Sequence, residues 1–195
     1  MQKKAIYGIL LATMVSGAAL AGGPDMMAPP PATAFKPFVG VNYSYLNVNW
    51  SNVASMASTA PSTFNGVGFL AGLKYGQYLG FVTGWNHYFQ QTGTLPPVND
   101  KSAISLNFRP ENFYFDVRGY YPFYAGFDLI GSVGANISDF FVESTVNMRM
   151  GVGADYFFTP NWGVEVMYNY IFQHNVTPFW NNAWTLNVGI NYMFD

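Results

Sequence analysis

From Lys36 onward, hydrophobicity repeats every second residue, and every strand-borne charge falls on one side of that repeat. The stretch "GVGADYFFTPNWGVEVMYNY", residues 151–170, shows the pattern. Val152, Ala154, Tyr156 and Phe158 alternate with Gly151, Gly153 and Asp155. After Thr159-Pro160-Asn161, the residues Trp162, Val164, Val166, Tyr168 and Tyr170 alternate with Gly163, Glu165 and Asn169. A period of two is the signature of a β-strand whose two faces meet different surroundings.

Eight such strands are predicted: 37–48, 65–75, 78–90, 112–121, 126–137, 145–158, 162–172 and 183–194. The turns at Gly76-Gln77, Pro122 to Ala125 and Thr159 to Asn161 are tight. The connections 49–64, 91–111, 138–144 and 173–182 are longer and polar. Short and long connections in alternation imply antiparallel neighbours and two unlike ends. "SAISLNF", residues 102–108, could prolong the fourth strand, although Pro110 opposes one unbroken strand because proline donates nothing to a ladder.

The charges decide which face is inside. Lys74, Asp116, Arg118, Asp128, Arg149, Asp155 and Glu165 share their parity with the glycines and asparagines, and none shares it with the aromatic residues. An eight-stranded barrel has an interior that side chains just fill. Aromatic residues from all eight strands would overfill it, whereas glycine suits a crowded interior. The aromatic face therefore points outward, into lipid. Tyr45, Trp50, Tyr75, Tyr78, Trp85, Tyr121, Tyr156, Phe158, Trp162, Tyr170, Trp184 and Tyr192 fall near strand ends, as two interfacial girdles require. Closure leaves no backbone edge unpaired in hydrocarbon. The expected fold is an all-β, eight-stranded antiparallel transmembrane up-and-down β-barrel.

The N-terminus reads as an export signal. Lys3 and Lys4 precede an apolar segment, and Ala19-Leu20-Ala21 forms an A-x-A cleavage site ahead of Gly22. The expected organisation is a signal peptide over 1–21, a Pro-rich flexible leader over 22–36 ("GGPDMMAPPPATAF" and the residue after it), and an outer-membrane barrel over 37–195. The chain has no cysteine, so it forms no disulfide and carries no lipid on cysteine. Only 9% of residues are charged and the net charge is −2, which argues against nucleic acid.

These residues resemble those of the small outer-membrane β-barrels of the OmpA/OmpX-like superfamily of Gram-negative bacteria, over residues 36–194. The hairpin 151–170 is similar to a pattern common in that superfamily. The C-terminal "NVGINYMF" resembles its assembly signal, with Asn187, Gly189, Tyr192 and Phe194 in the signal positions; Asp195 follows where most members end on the aromatic residue. The resemblance implies residence in the cell outer membrane with both termini periplasmic. It also implies contact with outer-membrane lipid and lipopolysaccharide, and delivery by the outer-membrane insertion machinery. Longer members carry a peptidoglycan-binding domain after the barrel, a role not expected of this chain.

No cofactor, metal or enzymatic site is expected. His87 lies on the lipid-facing parity beside Trp85 and Phe89, as a girdle residue would, and His174 lies in the last long connection. No Gly-x-Ser-x-Gly elbow and no His/Cys cluster is present. "GVGFLAG", 66–72, continues a strand and opens no helix, so it is not a nucleotide loop. The seven lumen charges read as an ion-pair plug, with Arg118 forking to Asp116 or Asp128 and Arg149 to Asp155 or Glu165. The expected role is structural or surface-interacting, adhesin-like or in envelope integrity, through long connections that expose Phe179 and Trp180 to a host or surface ligand. A narrow pore for small solutes is the alternative, and a lipid-modifying enzyme comes third.

Overall fold

The computed structural model describes residues 35–50, 60–95, 104–124, 126–139, 144–173 and 180–194. Ten strands occur in them: β1 (Phe35–Trp50), β2 (Thr63–Tyr75), β3 (Leu79–Tyr88), β4 (Gln91–Leu95), β5 (Ile104–Phe108), β6 (Glu111–Tyr124), β7 (Phe127–Asp139), β8 (Ser144–Phe157), β9 (Trp162–Phe172) and β10 (Trp180–Met193). Eight close into a barrel in the order β1-β10-β9-β8-β7-β6-β3-β2, while β4 and β5 form a separate two-stranded sheet. The registers given for neighbouring barrel strands are antiparallel.

The strands are built by the alternation and ended by their turns. Gly76 and Gly126 sit at the β2–β3 and β6–β7 turns with φ of 59° and 78°, a left-handed region that glycine enters freely. In the Thr159-Pro160-Asn161 turn, the Trp162 amide donates to Thr159 Oγ1 at 2.8 Å. Asn161 also latches the turn to the end of β10: its Nδ2 donates to the Met193 carbonyl at 2.9 Å, and its carbonyl accepts from the Met193 amide at 2.7 Å.

The two faces are inverted relative to a water-soluble protein. Val41, Phe69, Val133, Met150, Val152, Val166 and Ile190 are exposed on the outer wall, whereas Asp116, Arg118, Arg149, Asp155 and Glu165 are buried in the lumen. Glycine matters where lumen aromatics cross it. The space a Gly84 side chain would need is taken by the Tyr114 ring, and the Phe38 ring lies 2.5 Å from where a Gly72 Cβ would be. Outward aromatic pairs follow the strand ends: Tyr45 with Trp184 at 5.4 Å between ring centres, and Trp162 with Tyr192 at 5.0 Å.

Three sequence expectations change. The 91–111 connection is not a plain loop. "ISLNF" forms β5, which pairs with β4 instead of prolonging β6; Arg109-Pro110 ends it, and the Pro110 carbonyl accepts from the Tyr88 amide at 3.1 Å. Trp50 is not a girdle residue, because it packs toward the lumen mouth and its Nε1 donates to the Pro61 carbonyl at 3.0 Å. Trp180 is not displayed. It opens β10, pairs in register with Trp50, and is only 4% exposed. Phe179 and His174 lie outside the described residues.

Candidate functional site

The lumen is filled in three layers. Nearest the short turns, Lys74 Nζ lies 2.6 Å from Asp128 Oδ2, and Arg118 Nη1 lies 2.7 Å from Glu165 Oε2. Both pairs cross the lumen. In the barrel order, β2 and β7 are separated by β3 and β6, while β6 and β9 are separated by β7 and β8. Lys74 Nζ also stands 4.2 Å from the centre of the Tyr120 ring, a favourable place for a cation over a π-face. Asn191 Nδ2 adds a 3.1 Å hydrogen bond to Glu165 Oε2.

At mid-height, Arg149 Nε lies 3.5 Å from Asp116 Oδ2, and the guanidinium stacks 3.8 Å from the Tyr114 ring centre. Asp116 on β6 and Arg149 on β8 both face Gly134 on the intervening β7. With no side chain at Gly134, the arginine and the carboxylate meet over it. Buried asparagines, among them Asn86, Asn112, Asn136 and Asn169, line the same region. Asn136 Nδ2 donates to Ser138 Oγ.

At the long-connection end the lumen becomes apolar. Leu46, Val48, Phe64, Tyr88, Phe108, Ile171, Trp180 and Ala183 pack into one buried cluster, with Trp50 and Ala60 against it. The Tyr88 hydroxyl ties this cap to the polar layer through Ser44 Oγ at 2.9 Å and Asn112 Nδ2 at 3.3 Å.

The seven charges singled out in the sequence are thus brought together, but with other partners. Arg118 pairs with Glu165 rather than Asp116 or Asp128, and Arg149 with Asp116 rather than Asp155 or Glu165. Long arginine side chains reach across the lumen or over a glycine, which neighbour-strand reasoning does not capture. Among the described residues Asp155 forms no ion pair. Asn187, Gly189 and Tyr192 lie on β10, with Phe194 just beyond its end.

One ionic cluster on the outer wall escaped the sequence reading. His87 Nδ1 lies 3.0 Å from Glu111 Oε1, and Arg109 Nε and Nη2 approach His87 Nε2 at 3.2 and 3.1 Å. Arginine only donates, so Nε2 accepts and the Nδ1 proton goes to Glu111. Both ring nitrogens are engaged, leaving no free lone pair to act as a base. Register could have found part of this cluster, since Glu111 faces His87 across β3–β6. Among the described residues no group of three or more His, Cys, Asp or Glu could hold a metal ion.

The family model described as "Outer membrane protein beta-barrel domain" matches residues 8–194. No curated protein matches the chain. Among solved structures it is similar to the outer membrane protein OprG from Pseudomonas aeruginosa, with 11% identity, a TM-score of 0.63, and 83% of this chain and 97% of that one covered. It is similar to the outer membrane protein AlkL, solved in lipid bilayers, with 11% identity, a TM-score of 0.56, and 89% and 96% covered. It is also similar to Ail, the attachment invasion locus protein of Yersinia pestis, solved with the heparin analogue sucrose octasulfate, with 12% identity, a TM-score of 0.54, and 82% and 99% covered. At such identities the likeness concerns the fold.

Proposed function

The chain belongs to the outer membrane protein β-barrel domain family, and on that premise we propose that it is a non-conducting outer-membrane anchor that displays its long connections to surface ligands. The observation that carries this reading is the filled lumen. Paired charges span its short-turn end, and an apolar cap of eight side chains closes the other. Such a cap opposes the passage of ions, because each hydrated ion would surrender its shell against hydrocarbon. A hydrolytic role gains no support from His87, whose ring nitrogens are both occupied.

In this reading residues 1–21 are removed on export, the insertion machinery reads the segment around Asn187, Gly189, Tyr192 and Phe194, and lipid and lipopolysaccharide surround the outer wall. The β4–β5 hairpin is one element offered for display in this reading. Its exposed Thr92 Oγ1 donates to Asn107 Oδ1 at 3.1 Å.

Planar-bilayer recording tests the sealed lumen. The unaltered protein is expected to give no steady conductance, and a stable ion-selective current would make the narrow pore the better reading. Labelling tests the display. Ser105→Cys, on the exposed side of β5, is expected to react with an impermeant thiol reagent on whole cells, and Gln77→Cys, in the β2–β3 turn, is expected not to. Small barrels keep short turns periplasmic, so the reverse labelling pattern would invert the orientation.

A further inference from the structure

We propose that the cavity at the short-turn end of the lumen binds a small monovalent cation, held by the carboxylate of Asp155 with the amide oxygen of Asn191. This inference is independent of what the long connections recognise.

The cavity is small, about 10 Å³, room for a single occupant the size of a water molecule, and is lined by Phe38, Lys74, Tyr120, Asp155, Phe157, Glu165, Asn191 and Met193. Two cations serve this layer, and each has a carboxylate of its own: Lys74 holds Asp128, and Arg118 holds Glu165. Asp155 is the third carboxylate of the layer. It stands in register between Asp128 on β7 and Glu165 on β9, so like charges flank it on both sides. It is 4% exposed, and its Oδ1 has no hydrogen-bond partner.

Asn191 supplies a separate observation. It is 2% exposed, its Nδ2 is spent on Glu165, and its Oδ1 has no partner. That oxygen lies in the space a side chain at Gly40 would fill. The layer therefore carries three carboxylates against two cations, and Asn191, which lines the cavity, keeps one amide oxygen unused. A buried charge without a partner costs several kcal/mol, a cost that a bound cation or a proton on Asp155 would relieve.

The walls define its class. The three carboxylates of the layer do not converge as metal ligands, which suits a singly charged ion better than a divalent one. The rings of Tyr120 and Phe157 already face the Lys74 ammonium at 4.2 and 5.9 Å from their centres.

The test uses the full chain folded in detergent at pH 8, at constant ionic strength. Sodium, potassium or ammonium chloride replaces N-methylglucamine chloride, whose cation is too large for the cavity. At least one small cation is expected to raise the thermal midpoint saturably, by roughly 5–10 °C when far above its dissociation constant. Asp155→Asn is isosteric and removes the uncompensated charge. It is expected to melt above the unaltered protein in N-methylglucamine and to lose the cation response. If the variant fails to fold, the cation series on the unaltered protein still decides. Equal midpoints in all four salts, or an undiminished response in Asp155→Asn, would overturn the proposal. So would a protein indifferent to cations whose midpoint climbs only as pH falls, because a proton would then be the occupant.

Discussion

Arg118→Ala is expected to lower the urea unfolding midpoint of the barrel by the equivalent of about 3–5 kcal/mol, the usual consequence of removing one partner from a buried ion pair. Arg118 is 1% exposed and its Nη1 lies 2.7 Å from Glu165 Oε2. After truncation, Glu165 keeps only the 3.1 Å hydrogen bond from Asn191, and it sits one ladder position from Asp155. The variant therefore leaves Glu165 without a cation beside a second carboxylate. The double variant Arg118→Leu/Glu165→Leu is expected to recover most of the loss, because a hydrophobic replacement of a buried pair leaves no orphaned charge. Unfolding in the presence of detergent or lipid measures both. An Arg118→Ala midpoint equal to that of the unaltered protein would mean that the strut carries no stability.

Val152→Arg is expected to destabilise the membrane-inserted barrel by about 2–4 kcal/mol if it lies near the bilayer midplane, with less near an interface. Val152 is 64% exposed, on the outer wall between Met150 and Ala154. In a water-soluble barrel an exposed valine is a harmless place for arginine, since surface substitutions usually change stability by less than about 0.5 kcal/mol. In lipid the guanidinium must be dragged from water or snorkel to a headgroup. Folding yield into vesicles of defined thickness, compared with yield into detergent micelles, separates the two media. A variant that inserts and resists urea like the unaltered protein would argue that the aromatic face does not meet lipid.

How far the sequence carried depends on what alternation can encode. A two-residue period assigns a face, so the lumen position of Lys74, Asp116, Arg118, Asp128, Arg149, Asp155 and Glu165 was legible, as was the outward valine and aromatic stripe. Alternation does not encode which residues meet across the interior. The Arg118–Glu165 and Lys74–Asp128 struts link strands three apart in the barrel order, and Arg149 meets Asp116 only because Gly134 intervenes. The apolar cap was hidden for a different reason. Leu46 and Val48 continue the lumen parity at the end of the first predicted strand, but Trp50 and Phe64 fall in the 49–64 connection, where Trp50 reads as girdle and Phe64 as loop. Trp180 sits among asparagines and reads as displayed, although strand pairing with Trp50 turns it inward. The β4–β5 hairpin went unseen because Pro96 and Pro97 interrupt the segment, and proline reads as loop.

The seam between β1 and β10 also constrains when the molecule can form. The β2–β3, β6–β7, β7–β8, β8–β9 and β9–β10 pairings join strands whose intervening chain is short, and the chain between β3 and β6 is itself a hairpin. The seam instead matches Phe38 with Met193 and Trp50 with Trp180, near opposite ends of the described chain. Contacts that distant are slow to find, because the chain between them must be gathered before they reward it. Asn161 eases the search at one end: its bonds to Met193 tie the last strand to the β8–β9 turn, a far more local partner. The β7–β10 wall can thus assemble from successive hairpins, leaving β1 to zip onto a prepared edge. Barrel closure is therefore expected to come late, and until it does β10 would present an open ladder of amides and carbonyls.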